Sequence, residues 1–169
     1  MKVLDAFILL LRNTISNKQD MISLKQEIEN LKNYVFINQV RYGEQVNVEY
    51  YIMPQCEECR VPKLILQPFI ENAFFHAFPE GSTGNISIFA GLNKGEVVLE
   101  IVDDGVGIEE GQLTDIISKQ GPKSEHFTGI GINNVDDRIK LIYGNAYGIQ
   151  IKSEKGAGTT VTLRIPAVK

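Results

Sequence analysis

The 169-residue sequence has no tryptophan, only two cysteines and two histidines, and no excess of basic charge. Its 17 Lys and Arg residues are outnumbered by 21 Asp and Glu, and the two signs are interspersed. A net charge of -4 argues against general nucleic-acid binding, which needs a basic stripe. The longest apolar run, Ala6 to Leu11, is far shorter than the roughly 20 residues that cross a bilayer. We therefore expect a soluble, cytoplasmic chain.

The scarcity of cysteine and histidine limits the metal and redox chemistry that the chain can perform. Cys56 and Cys59 form one Cys-x-x-Cys pair, which could be half of a zinc site or a redox pair, but no second pair follows. His76 and His126 are isolated, and the two glutamates between the cysteines oppose thiolate formation. We expect two reduced thiols without a special role.

The first forty residues are predicted to be helical, because apolar residues recur at steps of three and four. These residues are Leu4, Ile8, Leu11, Ile15, Leu24, Ile28, Leu31 and Val35. Polar residues 17–20 interrupt the stripe, so the pattern fits two helices or one interrupted helix. It favours a helix-bundle or coiled-coil seam, and it also fits an amphipathic helix that lies on its own domain.

From residue 46 onward, strand and helix periodicities are mixed. A helix is predicted at 132–142, and strands are predicted at 46–53, 86–91, 96–102, 148–153 and 160–166. Pro62 suits the first turn of another helix that runs towards residue 78, and Pro68 either kinks this helix or marks its start. Asn93-Lys94-Gly95 is a credible hairpin turn. The order predicts an α+β fold, a two-layer α/β sandwich with a mixed, mostly antiparallel sheet.

The apolar helix around residue 70 contains three conspicuous polar residues, Glu71, Asn72 and His76. Buried polar groups need partners, since each unpaired one costs about 1–3 kcal/mol. The Asn72 side-chain oxygen could complete the oxygen shell of Mg²⁺. For Asn72 taken alone, a helix cap or a satisfied core asparagine explains the pattern equally well.

Three glycine-bearing segments follow. Asp103 ends a predicted strand, where its carboxylate could accept a hydrogen bond from an amino group such as that of adenine. Gly105 and Gly107 would let the backbone approach a planar ligand, although calcium loops and simple turns look similar. Residues 129–135 form a glycine-rich turn that opens into a helix, a suitable anion site. Residues 156–159, Gly-Ala-Gly-Thr, open the last strand and fit a hairpin turn.

In this order and spacing, the segments resemble the histidine-kinase branch of the GHKL ATPases. They match that family's N box (71–73), G1 box (103–107), G2 box (129–131) and closing Gly-x-Gly-Thr (156–159). Segments similar to the LytS/YesM-type sensor kinases are 66–73, 129–139, and 31–34 together with 41–43. The resemblance implies the histidine kinase-like ATPase fold and a two-component kinase that binds ATP and Mg²⁺.

The resemblance also assigns the base pocket. Asp103 would accept the adenine amino group, and Thr159 would support it. The pocket around the base would be shaped by Gly105, Gly107 and Ile108.

At the phosphate end, the resemblance implies that Asn72 binds Mg²⁺ bridging the phosphates. Gly129, Gly131 and Ile132, at the start of the following helix, would close on the β- and γ-phosphates. His76 would line the pocket entrance, and residues 109–128 would be the ATP lid, a length unusual for a plain connection.

The same resemblance divides the chain. Residues 1–44 would be the remnant of the dimerisation and phosphotransfer hairpin, and residues 45–169 the ATP-binding catalytic domain. The acceptor histidine would lie outside the chain, because His76 lies in the N box and His126 in the lid. The implied partners are the missing dimerisation helix, a response regulator reached through a membrane-anchored parent protein, and a second copy of the chain.

Two positions depart from the wider pattern. Phe75 replaces a lysine three residues after the N-box Asn72, which removes a cation that would pair with phosphate, and Arg138 or Lys123 is a hypothetical substitute. Pro68 replaces the residue that activates water in ATP hydrolysing relatives, which suits a kinase. Two alternatives remain: a non-catalytic interaction module with weakened nucleotide binding, and an ATPase that drives conformational change.

Overall fold

The computed structural model describes residues 20–42, 45–79, 81–118 and 130–168. The first half of the predicted helical stripe, from Leu4 to Ile15, lies outside these residues, and so do Lys123, His126 and Gly129. In the described part of the chain, no helix combines the length and apolar character needed to cross a bilayer.

Five strands form the main sheet in the order β2-β4-β5-β7-β6. They are β2 Val46–Ile52, β4 Gly84–Asn93, β5 Glu96–Asp103, β6 Gly148–Glu154 and β7 Gly158–Pro166. Strand β2 runs parallel to β4, and the other neighbours are antiparallel. Two short strands, β1 Met21–Ser23 and β3 Arg60–Pro62, pair separately as an antiparallel ribbon.

Four α-helices complete the described structure: α1 Leu24–Tyr42, α2 Gln67–Asn72, α3 Glu110–Ser118 and α4 Ile130–Tyr143. A 3-10 turn spans Pro54–Cys56, and α2 continues as a π-helical turn over Ala73–Ala77. The alternation of buried residues along β5 leaves one face of the sheet for the helices, and Ile88, Ile101 and Val161 pair across three strands on that face. The predicted α+β sandwich is confirmed.

Helix α1 packs on the same core as the sheet. Leu24, Ile28, Leu31 and Val35 are all buried. The second half of the predicted stripe therefore behaves as an amphipathic helix lying on its own domain. The division of the chain at residues 44 and 45 stays a prediction.

Several local expectations can be compared with the structure. Lys94 and Gly95 both have positive φ, 49° and 86°, which makes them the two-residue hairpin turn expected between β4 and β5. Pro68 lies in the first turn of α2 and so marks the start of this helix. Pro62 ends strand β3, so the prediction that a helix starts there is wrong. Within the predicted lid, residues 110–118 form a helix.

Cys56 and Cys59 are free thiols with no exposed surface. Burial raises the pKa of the Cys56 thiol, and the neighbouring Cys59 adds to the shift. The backbone of Cys59 joins the turn after Cys56 to the start of α1, since Leu24 N donates to Cys59 O at 2.8 Å. A raised thiol pKa disfavours the reactive thiolate form of Cys56.

Candidate functional site

An open pocket of about 490 Å³ lies between helix α2, with its π-helical turn, and the inner face of the sheet. Its floor is apolar, because Ile101, Val161 and Ile151 form one row across β5, β7 and β6. The next row towards the strand ends is polar and consists of Asp103, Thr159 and Ser153. The pocket thus offers an apolar surface for a flat group, with polar atoms along one edge.

Most of the predicted site residues that the structure describes are brought together here. Those that line the pocket are Asn72, His76, Asp103, Gly107, Ile108, Ile132 and Thr159. Gly105 lies just behind the lining, and Gly131 lies in the first turn of α4 beside Pro68. Residues separated by more than eighty positions in the chain therefore share one cavity.

Asp103 is the only charged residue among those lining the described pocket, and it is 8% exposed. Burial raises the pKa of its carboxyl, while backbone hydrogen bonds from Gly105 and Thr159 work against that rise. Gly105 N donates to Asp103 Oδ1 at 3.0 Å. The neighbouring Asp104 turns away and accepts hydrogen bonds at 2.7 Å from both N and Nδ2 of Asn85. The Asp103 carboxylate is therefore a fixed hydrogen-bond acceptor that faces the pocket.

Two glycines allow the turn after Asp103 to pack against its surroundings. A Cβ at Gly105 would lie 2.4 Å from Ala77 O, so a side chain would push the turn away from the helix. Gly107 has a φ of 64°, and a Cβ there would lie 2.0 Å from Glu154 O. The turn is further held by a 2.8 Å hydrogen bond from Val106 N to Ala77 O. Glycine is thus required for close approach at both positions.

Ser153, which was not predicted, does not line the pocket but hydrogen-bonds to two residues that do, Ile108 and Thr159. Its hydroxyl accepts a hydrogen bond from Ile108 N and lies 2.9 Å from both Gly158 O and Thr159 Oγ1. Because the carbonyl can only accept, the single Ser153 proton goes to Gly158, and Thr159 must then donate to Ser153. The lone pairs of Thr159 are left for the pocket. The available signal was a lone polar residue at an inward position of β6, following Ile149 and Ile151.

Asn72 lies on the opposite wall, at the junction of α2 with the π-helical turn. Its Nδ2 is buried and has no hydrogen-bond partner within the described ranges, and its side chain makes no cap hydrogen bond. Among the described residues, Asn72 therefore neither caps the π-helical turn nor has a partner for its amide nitrogen. A buried amide that lacks a partner is suited to a ligand that supplies one.

The structure does not support Arg138 as a substitute for the missing phosphate-pairing lysine. Its guanidinium donates to the main-chain oxygens of Lys63, at 2.6 Å, and Asp20, at 3.2 Å. Phe75, in the position of that lysine, is 49% exposed. Among the described residues, no group of three or more His, Cys, Asp or Glu side chains could hold a metal by itself.

Comparison with known proteins decides the family. Residues 60–169 match the family model described as histidine kinase-, DNA gyrase B- and HSP90-like ATPase, and residues 1–46 match a histidine kinase model. The chain belongs to this ATPase family. ATP binding and the domain's place in sensor histidine kinases follow from that membership, and the resemblance noted in the sequence is confirmed.

Individual relatives give the same result. Sensor histidine kinase YesM of Bacillus subtilis is 33% identical over 166 residues, which are 98% of this chain and 27% of YesM. Sensor protein LytS of Bacillus cereus is 31% identical over 150 residues, 88% of this chain and 25% of LytS. The chain thus spans about a quarter of the length of these curated relatives.

Solved structures agree on the fold of this ATPase domain. The catalytic domain of histidine kinase ThkA aligns with a TM-score of 0.67 and 20% identity, covering 87% of this chain and 94% of that domain. The blue-light activated histidine kinase domain of Erythrobacter litoralis aligns with a TM-score of 0.62 and 16% identity, covering 99% and 76% respectively. At these identities the likeness concerns the fold alone.

Replacing Ser153 with alanine should weaken ATP binding by about tenfold. The substitution leaves Ile108 N and Gly158 O without their shared partner and frees the Thr159 hydroxyl to turn. Isothermal titration calorimetry of the folded variant measures the effect. Ser87→Ala, on the outer side of β4, is the matched control and should bind as the wild type does; equal affinity in Ser153→Ala would contradict the role given to Ser153.

Proposed function

We propose that this domain binds Mg-ATP in the described pocket and transfers the γ-phosphate to a histidine outside the chain. The observation that carries the proposal is that two polar groups lie at opposite ends of an apolar pocket floor. Asp103 supplies a buried acceptor at one end, and Asn72 supplies a buried amide without a partner at the other. Within this ATPase family, such a pocket fits a purine base and a metal-bound triphosphate.

The adenine would lie at the sheet end of the pocket. Its exocyclic amine donates, and Asp103 together with the lone pairs of Thr159 accepts. Gly107 and Ile108 cover one edge, and the row containing Ile101 supplies an apolar surface for the ring. An acceptor-only edge disfavours guanine, which presents a carbonyl oxygen at the same place.

Asn72 would hold Mg²⁺ through its side-chain oxygen, with the phosphates supplying most of the other ligands. The place of Asn72 at the pocket wall fits this role, and its unpartnered Nδ2 is a donor suited to a phosphate oxygen. When bound, the ion neutralises charge on the phosphates. The chain's own contribution is to position the amide on a short helix whose preceding turn is held by α1 and α4.

The start of α4 would face the β- and γ-phosphates. Backbone N–H groups at a helix start favour anions, and Gly129, Gly131 and Ile132 belong to this region. With Phe75 in place of a lysine, more of the phosphate contact rests on main-chain donors and on the metal. His76 lines the pocket and would lie near its entrance.

Transfer to an acceptor is favoured over hydrolysis by the residue at position 68. Pro68 lies in the first turn of α2, where it offers no side-chain group to activate water. The pocket therefore positions ATP for in-line attack by an incoming imidazole, with no base for a water molecule at this position.

The wider partners follow from the same proposal. The acceptor would lie on a dimerisation helix of the parent kinase, the chain would associate with a second copy through that hairpin, and the phosphate would pass to a response regulator. The domain would work in the cytoplasm, attached to a membrane-anchored parent.

Replacing Asp103 with asparagine should reduce the affinity for Mg-ATP by roughly 10- to 100-fold, because a charge-assisted hydrogen bond is lost and an amide donor faces the adenine amine. Calorimetric titration of the wild type and the variant measures the change. Asp137→Asn, an exposed change on α4, is the control. Undiminished affinity in Asp103→Asn would contradict the proposed adenine site and favour the interaction-module alternative.

Phosphotransfer is tested by adding a separate fragment that carries the first dimerisation helix of such a kinase. With Mg-ATP, acid-labile phosphate should accumulate on the fragment's histidine, and the domain alone should show little turnover. Asp103→Asn should abolish most of the labelling. Rapid release of inorganic phosphate without labelling would instead support the hydrolysing ATPase.

A further inference from the structure

The turn that precedes α2 is held by a buried carboxylate from a distant part of the chain. Glu27, on α1, is 1% exposed. Its Oε2 accepts a hydrogen bond from Leu64 N at 2.9 Å, and its Oε1 accepts one from Leu66 N at 3.1 Å. Both oxygens are therefore used, and both bonds go to the main chain immediately before α2 begins at Gln67.

This turn has an unusual backbone conformation. Leu64 has a φ of 60°, in the left-handed region that non-glycine residues rarely adopt. Such a conformation persists only when the surroundings hold it. The hydrogen bond from Leu64 N to Glu27 is one of the contacts that do so.

A second helix holds the same turn from the carbonyl side. Arg138, on α4, donates to Lys63 O at 2.6 Å and to Asp20 O at 3.2 Å. Lys63 N in turn donates to Asp20 O at 3.0 Å. Residues 63–66 are thus fixed between α1 and α4. Burial raises the pKa of the Glu27 carboxyl, and the backbone hydrogen bonds and the Arg138 charge act against that rise.

Two helices, α2 and α4, connect this turn directly to the pocket. Helix α2 has only six residues and ends at Asn72, which lines the pocket. Helix α4, which carries Arg138, also carries Ile132 in the pocket lining. By contrast, Asp103 and Thr159 are placed by the pairing of β5 with β7 and have no part in the turn.

We propose that Glu27 is a positioning residue for Asn72, so that α1 sets the geometry of the metal and phosphate end of the pocket and leaves the adenine end unaffected. The inference rests on the proposed function of the pocket. Because α1 lies within the segment that matches the histidine kinase model, residues 1–46, a shift of that segment would reach Asn72 through this contact.

Glu27→Gln is the most informative substitution. It keeps the length and shape of the side chain but replaces one oxygen with an NH₂ group, which would face the N–H of Leu64 or Leu66 donor to donor. One hydrogen bond is lost and the turn is pushed apart. Glu29→Gln is the matched control, since Glu29 lies on the same helix, is exposed, and forms an ion pair with Lys32 at 2.9 Å.

The experiment measures ATP affinity of the full chain by calorimetry, once with Mg²⁺ and once with EDTA. Glu27→Gln should weaken Mg-ATP binding about tenfold while changing Mg-free binding less than about twofold, so that the gain in affinity from Mg²⁺ shrinks. Glu29→Gln should match the wild type in both conditions. An equal loss with and without Mg²⁺, or no loss at all, would overturn the proposal.

A second variant covers the case in which Glu27→Gln does not fold. Arg138→Gln leaves the buried carboxylate in place and removes the guanidinium bonds to Lys63 O and Asp20 O together with the positive charge near Glu27, so the same selective but smaller loss is expected. An equal loss of ATP affinity with and without Mg²⁺ in Arg138→Gln would also overturn the proposal. If the wild type does not bind ATP, or if Asp103→Asn binds it equally well, the proposed function fails. If the wild type binds ATP but the variants lose affinity equally with and without Mg²⁺, only the positioning role of Glu27 fails.

Discussion

The pairing of β5 with β7 places Asp103 opposite Thr159, and the pairing of β7 with β6 places Thr159 opposite Ser153. This single row fixes the polar edge of the pocket, since a carboxylate and two hydroxyls then lie side by side at the ends of three strands. A shift of one residue in either pairing would turn these side chains to the outer face. The apolar floor, one row further in, depends on the same register.

The opposite wall is built by a different principle. Asn72 is placed by a short helix whose start is fixed from outside, by the carboxylate of Glu27 and the guanidinium of Arg138. The two ends of the pocket are therefore held by separate parts of the fold, one by the sheet register and one by helix contacts. This separation is what would allow the phosphate end to respond to the N-terminal helix while the base end stays constant.

Much of the fold could be predicted from local chemistry. The hairpin at Lys94 and Gly95, the start of α2 at Pro68 and the strand periods all follow from preferences of a few neighbouring residues. The family resemblance carried by the motif order also pointed to seven of the residues that line the pocket, Asp103 among them.

What could not be predicted depends on contacts between distant segments. Ser153 appears as an ordinary strand residue until Ile108 and Gly158 are brought beside it. Glu27 looks like a solvated residue on a helix, although it is buried against a turn almost forty residues away. Met21–Ser23 forms a strand rather than helix because Arg60–Pro62 is available as its partner. Tertiary pairing overrides local periodicity in each case.

In the proposed function, one pocket holds adenine at Asp103 and the metal-bound phosphates at Asn72. A crystal structure of the chain with Mg²⁺ and a non-hydrolysable ATP analogue tests it most directly. We expect the adenine amine within hydrogen-bonding distance of the Asp103 carboxylate, and the metal ion bound to the side-chain oxygen of Asn72. A nucleotide bound elsewhere, or one whose base turns away from Asp103, would show that the pocket does not hold ATP in this way.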